Sequence, residues 1–450
     1  MSKQASREGR GEWLSAKAGR RVCAVSAALF SLVLTSPVAA QIRQYTPPGG
    51  AQDEATGRKE ALEKAVEEAR WHAGPVRLDP AFWISDLSWV DRPADAVSEA
   101  GSDLTARAGA GLRAYLPVGA KTTVSAYALP EYVWWQERAE ERRVNQRFGI
   151  GTFTYFNRLA IAITAQRDED FNYATGEILQ RYTSRNERIA ADIEVPIVRR
   201  LTIYAHGEDV SVRSLVDSVD DPLLADFFDD LDRDDTAYRG GVRYYPSEKL
   251  RLGAGVGHSE SDFAADALDR SNSGDFWYVE AGYERPKLLV DLLYQENQLA
   301  AVDGSSFSDF DSSTGGVRIE WQPRDAFRAR VYGARQLAYS LLVDEASGYV
   351  DERIGAGVNV ALGWRLRLDL FGETGSHDYQ ASPGSPDPDR VDDVDTYGID
   401  LAVELPWRMH LRLGYMESKI TPPSGSGLPG QKVTQLLANL GFGFNQGTWY

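Results

Sequence analysis

The chain has almost no cysteine. Cys23 is the only one in 450 residues, and it lies in a segment whose pattern marks it for removal. A disulfide scaffold and a thiolate metal centre are therefore both excluded. Histidine occurs five times and methionine three times. Positive charge is in deficit: 49 Lys and Arg stand against 66 Asp and Glu, a formal net charge of −17. That balance argues against nucleic acid as a partner, because phosphates call for a basic surface. After residue 40 there is no long apolar run. If the protein crosses a membrane, it does not cross as helices.

What is present at the N-terminus is a leader. A basic stretch ends in Arg20 and Arg21, the apolar run "VCAVSAALFSLVLTSPVAA" follows, and small residues at Val38 and Ala40 precede Gln41. Residues 1–40 read as a cleaved signal peptide. The paired arginines are ordinary leader charge rather than a twin-arginine export signal, and "GRRV" before Cys23 does not fit a lipoprotein box. Cleavage removes six basic and two acidic residues, which leaves a chain of net charge −21.

Residues 41–57, with Pro-Pro-Gly-Gly, read as a flexible leader to the folded part. Over 58–73, Leu62, Ala65, Val66 and Ala69 fall on one helical face. Glu60 and Lys64 add an i,i+4 pair, and the helix is about 22 Å long. A short periplasmic helix resting lightly on the rest is expected, a plug or partner-binding element being the alternative.

From residue 76 onward the period changes to two. Leu250, Leu252, Ala254 and Val256 alternate with Arg251, Gly253, Gly255 and Gly257. Tyr397, Ile399, Leu401, Val403 and Leu405 alternate with Gly398, Asp400, Ala402 and Glu404. Similar alternation runs through 104–116, 189–195, 354–362 and 364–370. Each strand then has one apolar face and one polar or glycine face. The strands are long enough to cross a bilayer at a tilt, where an ordinary globular strand has about 5 or 6 residues.

Short corners near Pro117, Asn157, Pro196, Pro246, Pro286, Pro323, Gly363 and Pro406 recur every 37 to 50 residues. Long acidic loops such as 214–235 and 377–395 lie between them. Short turns alternating with long loops are the signature of an outer-membrane barrel, with the short turns periplasmic. The expected fold is an all-β transmembrane antiparallel up-and-down β-barrel over 76–450. Nine hairpins give about 18 strands, with 16 as the fallback. A β-propeller shares the repeat length, but its blades need four short strands each, not two long ones and a loop.

Barrel alternation assigns a face to every charge. Arg113, Arg243, Arg251, Arg328, Arg330, Arg365, Arg367 and Arg412 point inward, because an arginine facing lipid at the midplane costs about 2–4 kcal/mol. Asp192, Glu194, Asp291, Glu320, Asp369, Asp400 and Glu404 share that parity, as does Glu280. These are candidate pore-lining residues, and either a polar channel or a set of mutually neutralising pairs accounts for them. A barrel of 16 to 18 strands usually leaves an aqueous space. Tyr244, Tyr283, Trp321, Trp364 and Trp407 mark one aromatic girdle, and Trp134, Trp135 and Trp277, with Tyr132 and Tyr294, the other.

The loop "VDSVDDPLLADFFDDLDRDD" at 216–235 carries nine aspartates and one arginine. Its apolar centre, Leu223, Leu224, Phe227 and Phe228, is a candidate constriction folding into the barrel mouth. A solvated acidic face is the plainer reading of the run, and closely spaced carboxylates also suit calcium, but EF-hand spacing is absent and no metal or other cofactor is expected. His258 with Ser259, and Ser376 with His377, are the only adjacent Ser-His pairs. Sequence neighbours on a strand point to opposite faces, so neither pair forms a catalytic contact. No nucleophile elbow, zinc helix or phosphate loop occurs, and no enzyme is expected.

The segment "ARWHAGPVRLDPAFWISDLSWVDRPAD" at 69–95 resembles the entry into the β-barrel porin 2 type of outer-membrane protein, where a "GP-x-R-L-x-P" step leads into the first strand. "AGAGLRAYLPVGAK" and "RYYPSEKLRLGAGVGH" are similar to strand–turn–strand corners of that group. The resemblance covers about residues 74–450 and implies a porin-like protein, often associated with exopolysaccharide export. It carries over no catalytic or binding residue. The expected function is thus an outer-membrane channel for polar solutes or glycan in a Gram-negative bacterium. Its expected partners are outer-membrane lipid and the barrel-assembly machinery, which the terminal "NQGTWY" would engage although it departs from the usual barrel ending. The alternatives are a structural or adhesive barrel with a filled lumen and binding loops, and an outer-membrane hydrolase.

Overall fold

The structure, a computed structural model, describes residues 55–442 apart from 93–100, 138, 140–141, 174–176, 178–180, 216–227, 265–269, 303, 341–345, 364, 382–389 and 425–429. Residues 1–40, read above as a signal peptide, residues 41–54 of the expected leader and the C-terminal "NQGTWY" lie outside the described residues.

All strands belong to one antiparallel sheet. It closes on itself: Val76–Arg92 pairs with Gly101–Val118 on one side and with the last strand, Gln431–Phe442, on the other. Of 21 strand segments, Trp71–Ala73 is a short arm folded back on Val76–Leu78. Two barrel strands are each made of two segments. Thr122–Ala128 continues as Glu131–Trp135 past Pro130, which has no N–H for the ladder, and Arg143–Asn145 continues as Arg147–Phe156. The barrel therefore has 18 strands, an even number, as antiparallel closure requires. At the seam Phe82 and Phe442 stack with centroids 4.6 Å apart.

Proline shapes the short turns. Register shifts fall opposite Pro196, between Tyr244 and Ser247 around Pro246, and between Trp321 and Arg324 around Pro323. Each is a place where the ladder would lack a donor, so the strand bulges and turns there.

The outward positions are large, apolar and exposed, among them Ile189, Ile203, Val256, Leu292, Ile354 and Leu413. A water-soluble protein does not carry an apolar belt around its whole girth. Inward positions are polar or aromatic and buried, including Arg243, Glu280, Gln295, Asp369 and Asp400. This inside-out distribution is that of a barrel solvated by lipid.

The helix α1 spans Ala55–Glu68, a few residues earlier than the pattern suggests. Gly74 at φ 62° makes the turn that sends Trp71–Ala73 back onto the first strand, which ends helical geometry early. Its packing is firmer than the expected light contact. Leu62 and Ala69 are buried against the inward-facing Tyr115, Phe153 and Ala162, with Ala65, Val66 and Tyr155 around them.

Candidate functional site

The inner wall near the short turns carries a circuit of ion pairs. Arg243 donates to Glu280 at 2.7 Å, and Arg251 lies 3.5 Å from Asp291. Asp291 also accepts from Arg318 at 2.9 Å, and Arg328 lies 3.7 Å from Glu320. Arg330 and Asp369 pair at 2.8 Å, Arg367 and Glu404 at 3.0 Å, and Arg412 Nε reaches Asp400 at 3.1 Å.

Three of these pairs skip a strand. Arg243 on Arg233–Ser247 reaches Glu280 on Asn272–Arg285 across Gly253 of the strand between them. Arg251 reaches Asp291 over Gly282, and Arg330 reaches Asp369 over Gly357. A Cβ on Gly253 would stand 2.5 Å from the Glu280 carboxylate, and one on Gly357 would stand 2.6 Å from Arg330 Nε. The inward glycines are thus the floor over which charged side chains lie flat along the wall.

Helix α1 closes on this wall. Arg58 Nη1 lies 3.3 Å from Asp192 and Nη2 3.9 Å from Glu194. Asp192 also holds His206 Nδ1 at 2.8 Å, and Glu194 lies 3.8 Å from Arg243, so the helix joins the circuit. The opposite end of the barrel has its own crossing. Glu177, from the connection between Leu159–Tyr173 and Arg181–Val198, is 1% exposed. Its carboxylate accepts from Ser340 Oγ at 2.9 Å, and its carbonyl accepts from Gln431 Nε2 at 3.1 Å. Ser340 follows Phe327–Tyr339, nearly opposite in the ring of strands, and Gln431 opens the last strand, which lies nearer. Below them Arg353 bridges Asp351 at 2.7 Å and Glu373 at 3.0 Å, and Arg390 pairs with Asp392 at 2.7 Å over the Tyr379 ring. In the neighbouring turn burial raises the Asp232 carboxyl above the usual carboxylate range and lowers the Arg270 guanidinium, whose Nη1 donates to the Asp230 carbonyl.

Most residues singled out from the sequence sit on the expected face. The paired arginines and carboxylates above are inward, Arg113 is buried on the same wall, and Arg365 is exposed at a short turn. Tyr244, Trp321, Trp407 and Trp277 are exposed, Tyr283 and Trp134 partly so, and Trp364 lies outside the described residues. Trp135 corrects the girdle: it is 2% exposed and shares the inner face with Val133. Adjacent Trp134 and Trp135 necessarily face opposite ways on a strand, so only one can meet lipid. Of the constriction cluster, Leu223, Leu224 and Phe227 lie outside the described residues, and Phe228 is fully buried. Sequence reasoning missed Arg58 and Glu177, whose partners are 134 and 163 residues away. Only the polar interruption of the helical face at Arg58 hinted at the first.

No protein-family model matches the chain, and no curated protein matches it. Solved structures do. OccK1 (OpdK) of Pseudomonas aeruginosa is 9% identical with a TM-score of 0.50, over 82% of this chain and 99% of that one. OccK2 (OpdF) of the same organism, solved in complex with glucuronate, is 9% identical with a TM-score of 0.49, over 82% and 98%. OccAB3 of Acinetobacter baumannii is 10% identical with a TM-score of 0.48, over 82% and 99%. At such identity the likeness to OccK1 speaks for the barrel fold alone.

Proposed function

We propose that the chain is an outer-membrane channel for small polar solutes, exported by its cleaved signal peptide and inserted by the barrel-assembly machinery of a Gram-negative cell. One observation carries this reading: an 18-stranded closed barrel turns an apolar face outward and a circuit of charged side chains inward. Such a wall suits water and polar solutes, and a lumen meant only to be filled could use apolar side chains at lower cost. The resemblance to the β-barrel porin 2 type supports the same reading, and glycan export is its refinement.

The two crossings, α1 at one end and Glu177 at the other, favour a channel that opens rather than a permanently open pore. Planar-bilayer recording of residues 41–450 tests this. Discrete conductance steps are expected, with a reversal potential in a salt gradient that moves toward cation preference when Arg365 and Arg367 become Gln. Silence from a folded barrel that persists in Glu177→Ala and Arg58→Ala, which release the two crossings, would sink the channel and favour a structural barrel with working loops.

A further inference from the structure

On the outward face, register sets His258 beside Ser273 and Asp275, two residues on one face of the next strand. His258 is directly opposite Asp275 on the next strand, and its Nδ1 lies 2.8 Å from the Asp275 carboxylate. Its other ring nitrogen, Nε2, lies 3.3 Å from Ser273 Oγ. In the tautomer that donates Nδ1–H to Asp275, Nε2 is the acceptor facing the serine hydroxyl. Nucleophile, base and orienting acid are thus in hydrogen-bond sequence, the arrangement that activates serine on many unrelated folds.

The surroundings fit an acyl substrate. Below the three residues lies a groove of about 850 Å³ that includes His258 and Asp275. Its outward floor is made by Ala205, Gly207, Gly240 and Val256, between the rings of Tyr238 and Trp277. Small residues on adjacent strands make a trough there, and two amphipathic rings bound it. Gln298, opposite Asp275, adds an uncharged amide to the same groove.

Height decides the substrate class. His258 is eight residues beyond Leu250, which starts its strand at the short-turn end. At about 3.3 Å per residue and about 40° of tilt, that is about 20 Å along the barrel axis. The apolar band of such a barrel is about 25 Å tall. The serine therefore stands at the outer edge of the hydrocarbon, where lipid ester carbonyls lie and acyl chains run down toward the groove.

We propose that Ser273, His258 and Asp275 form a lipid-facing acyl-ester hydrolase site. Ser273 Oγ bonds to the ester carbonyl carbon while its proton passes to His258 Nε2, and the amide of Gln298 faces the carbonyl oxygen. The carbon–oxygen bond to the alcohol breaks, and His258 returns the proton to the departing oxygen. Water then adds to the acyl-serine with His258 again as base, releasing a fatty acid and restoring Ser273. Asp275 holds the imidazole and its developing charge throughout.

The test uses the full chain in two kinds of vesicle, one of dioleoyl phosphatidylethanolamine and phosphatidylglycerol, the other also containing lipopolysaccharide. Fatty-acid release is expected from at least one of them, and which one responds identifies the lipid. Ser273→Ala and His258→Ala should each lower release by about 100-fold or more, the scale of nucleophile and general-base loss. Ser259→Ala, the inward neighbour of His258, should retain it. A fluorophosphonate probe should label Ser273 and fail on His258→Ala. Folding of every variant is read from heat-modifiable gel migration. If folded wild-type protein releases no more fatty acid than Ser273→Ala in both vesicles, or if the probe does not label Ser273, the proposal is overturned.

Discussion

Arg58 of α1 and Asp192 of the barrel wall lie 3.3 Å apart, and Asp192 holds His206 at 2.8 Å on its other side. The carboxylate is therefore shared between the helix and the wall. Losing Arg58 leaves a buried acid with one partner fewer, a cost of about 1–3 kcal/mol. Leu62→Ala removes apolar burial worth about 2–5 kcal/mol. Because the chain beyond the leader has no cysteine, Ala65→Cys is a clean reporter. Its thiol should react slowly with a maleimide in the parent and at least ten-fold faster with Arg58→Ala or Leu62→Ala present. Equal rates would mean that α1 is not held by these contacts.

The strand-skipping pairs predict an unusual sensitivity at glycine. Gly357→Val places a Cβ against Arg330 and parts it from Asp369, with an overpacking cost of about 1–3 kcal/mol. Urea unfolding in detergent should show that loss. Arg330→Gln removes the cation hydrogen-bonded to Asp369 and should move the reversal potential toward cation preference, while Asp369→Asn should move it the other way. An identical shift from both would contradict the pairing.

Glu177 is the corresponding test at the mouth. Glu177→Ala removes the acceptor that Ser340 uses, and single-channel conductance should rise. Glu177→Gln still offers an acceptor oxygen and should behave close to the parent. A conductance unchanged by alanine would show that this crossing does not narrow the path.

Asp232 gives the turn Phe228–Asp232 a pH dependence. Burial raises its carboxyl, and Asp229 nearby acts in the same direction. A group raised in the folded state favours the fold when protonated, so its contribution is present in acid and is lost as pH rises through its titration. Exchange of the Leu231 and Asp232 amides, which bond to Phe228 and Asp229, should be better protected in acid after correction for intrinsic rates. In Asp232→Asn the difference should vanish.

The alternation of Leu250 to Val256 with Arg251 to Gly257 determined on its own which faces meet lipid and which meet the lumen. The recurrent proline corners determined the number of hairpins. These are local facts: a strand's side chains alternate whatever its neighbours do, and an arginine cannot face hydrocarbon cheaply. The same locality separates Trp134 from Trp135: parity sends one to the girdle and the other to the inner face. Tertiary structure decided everything that depends on register and closure. Which glycine lies beneath Arg330, which carboxylate meets Arg58, and which wall Glu177 reaches all follow from the stagger accumulated strand by strand around the barrel. His258 shows the division most plainly. Its neighbour Ser259 faces the lumen, while Ser273 comes within reach only because His258 is paired with Asp275 across the sheet. Parity is written in the spacing of residues along one strand, but partners are chosen by the pairing of two.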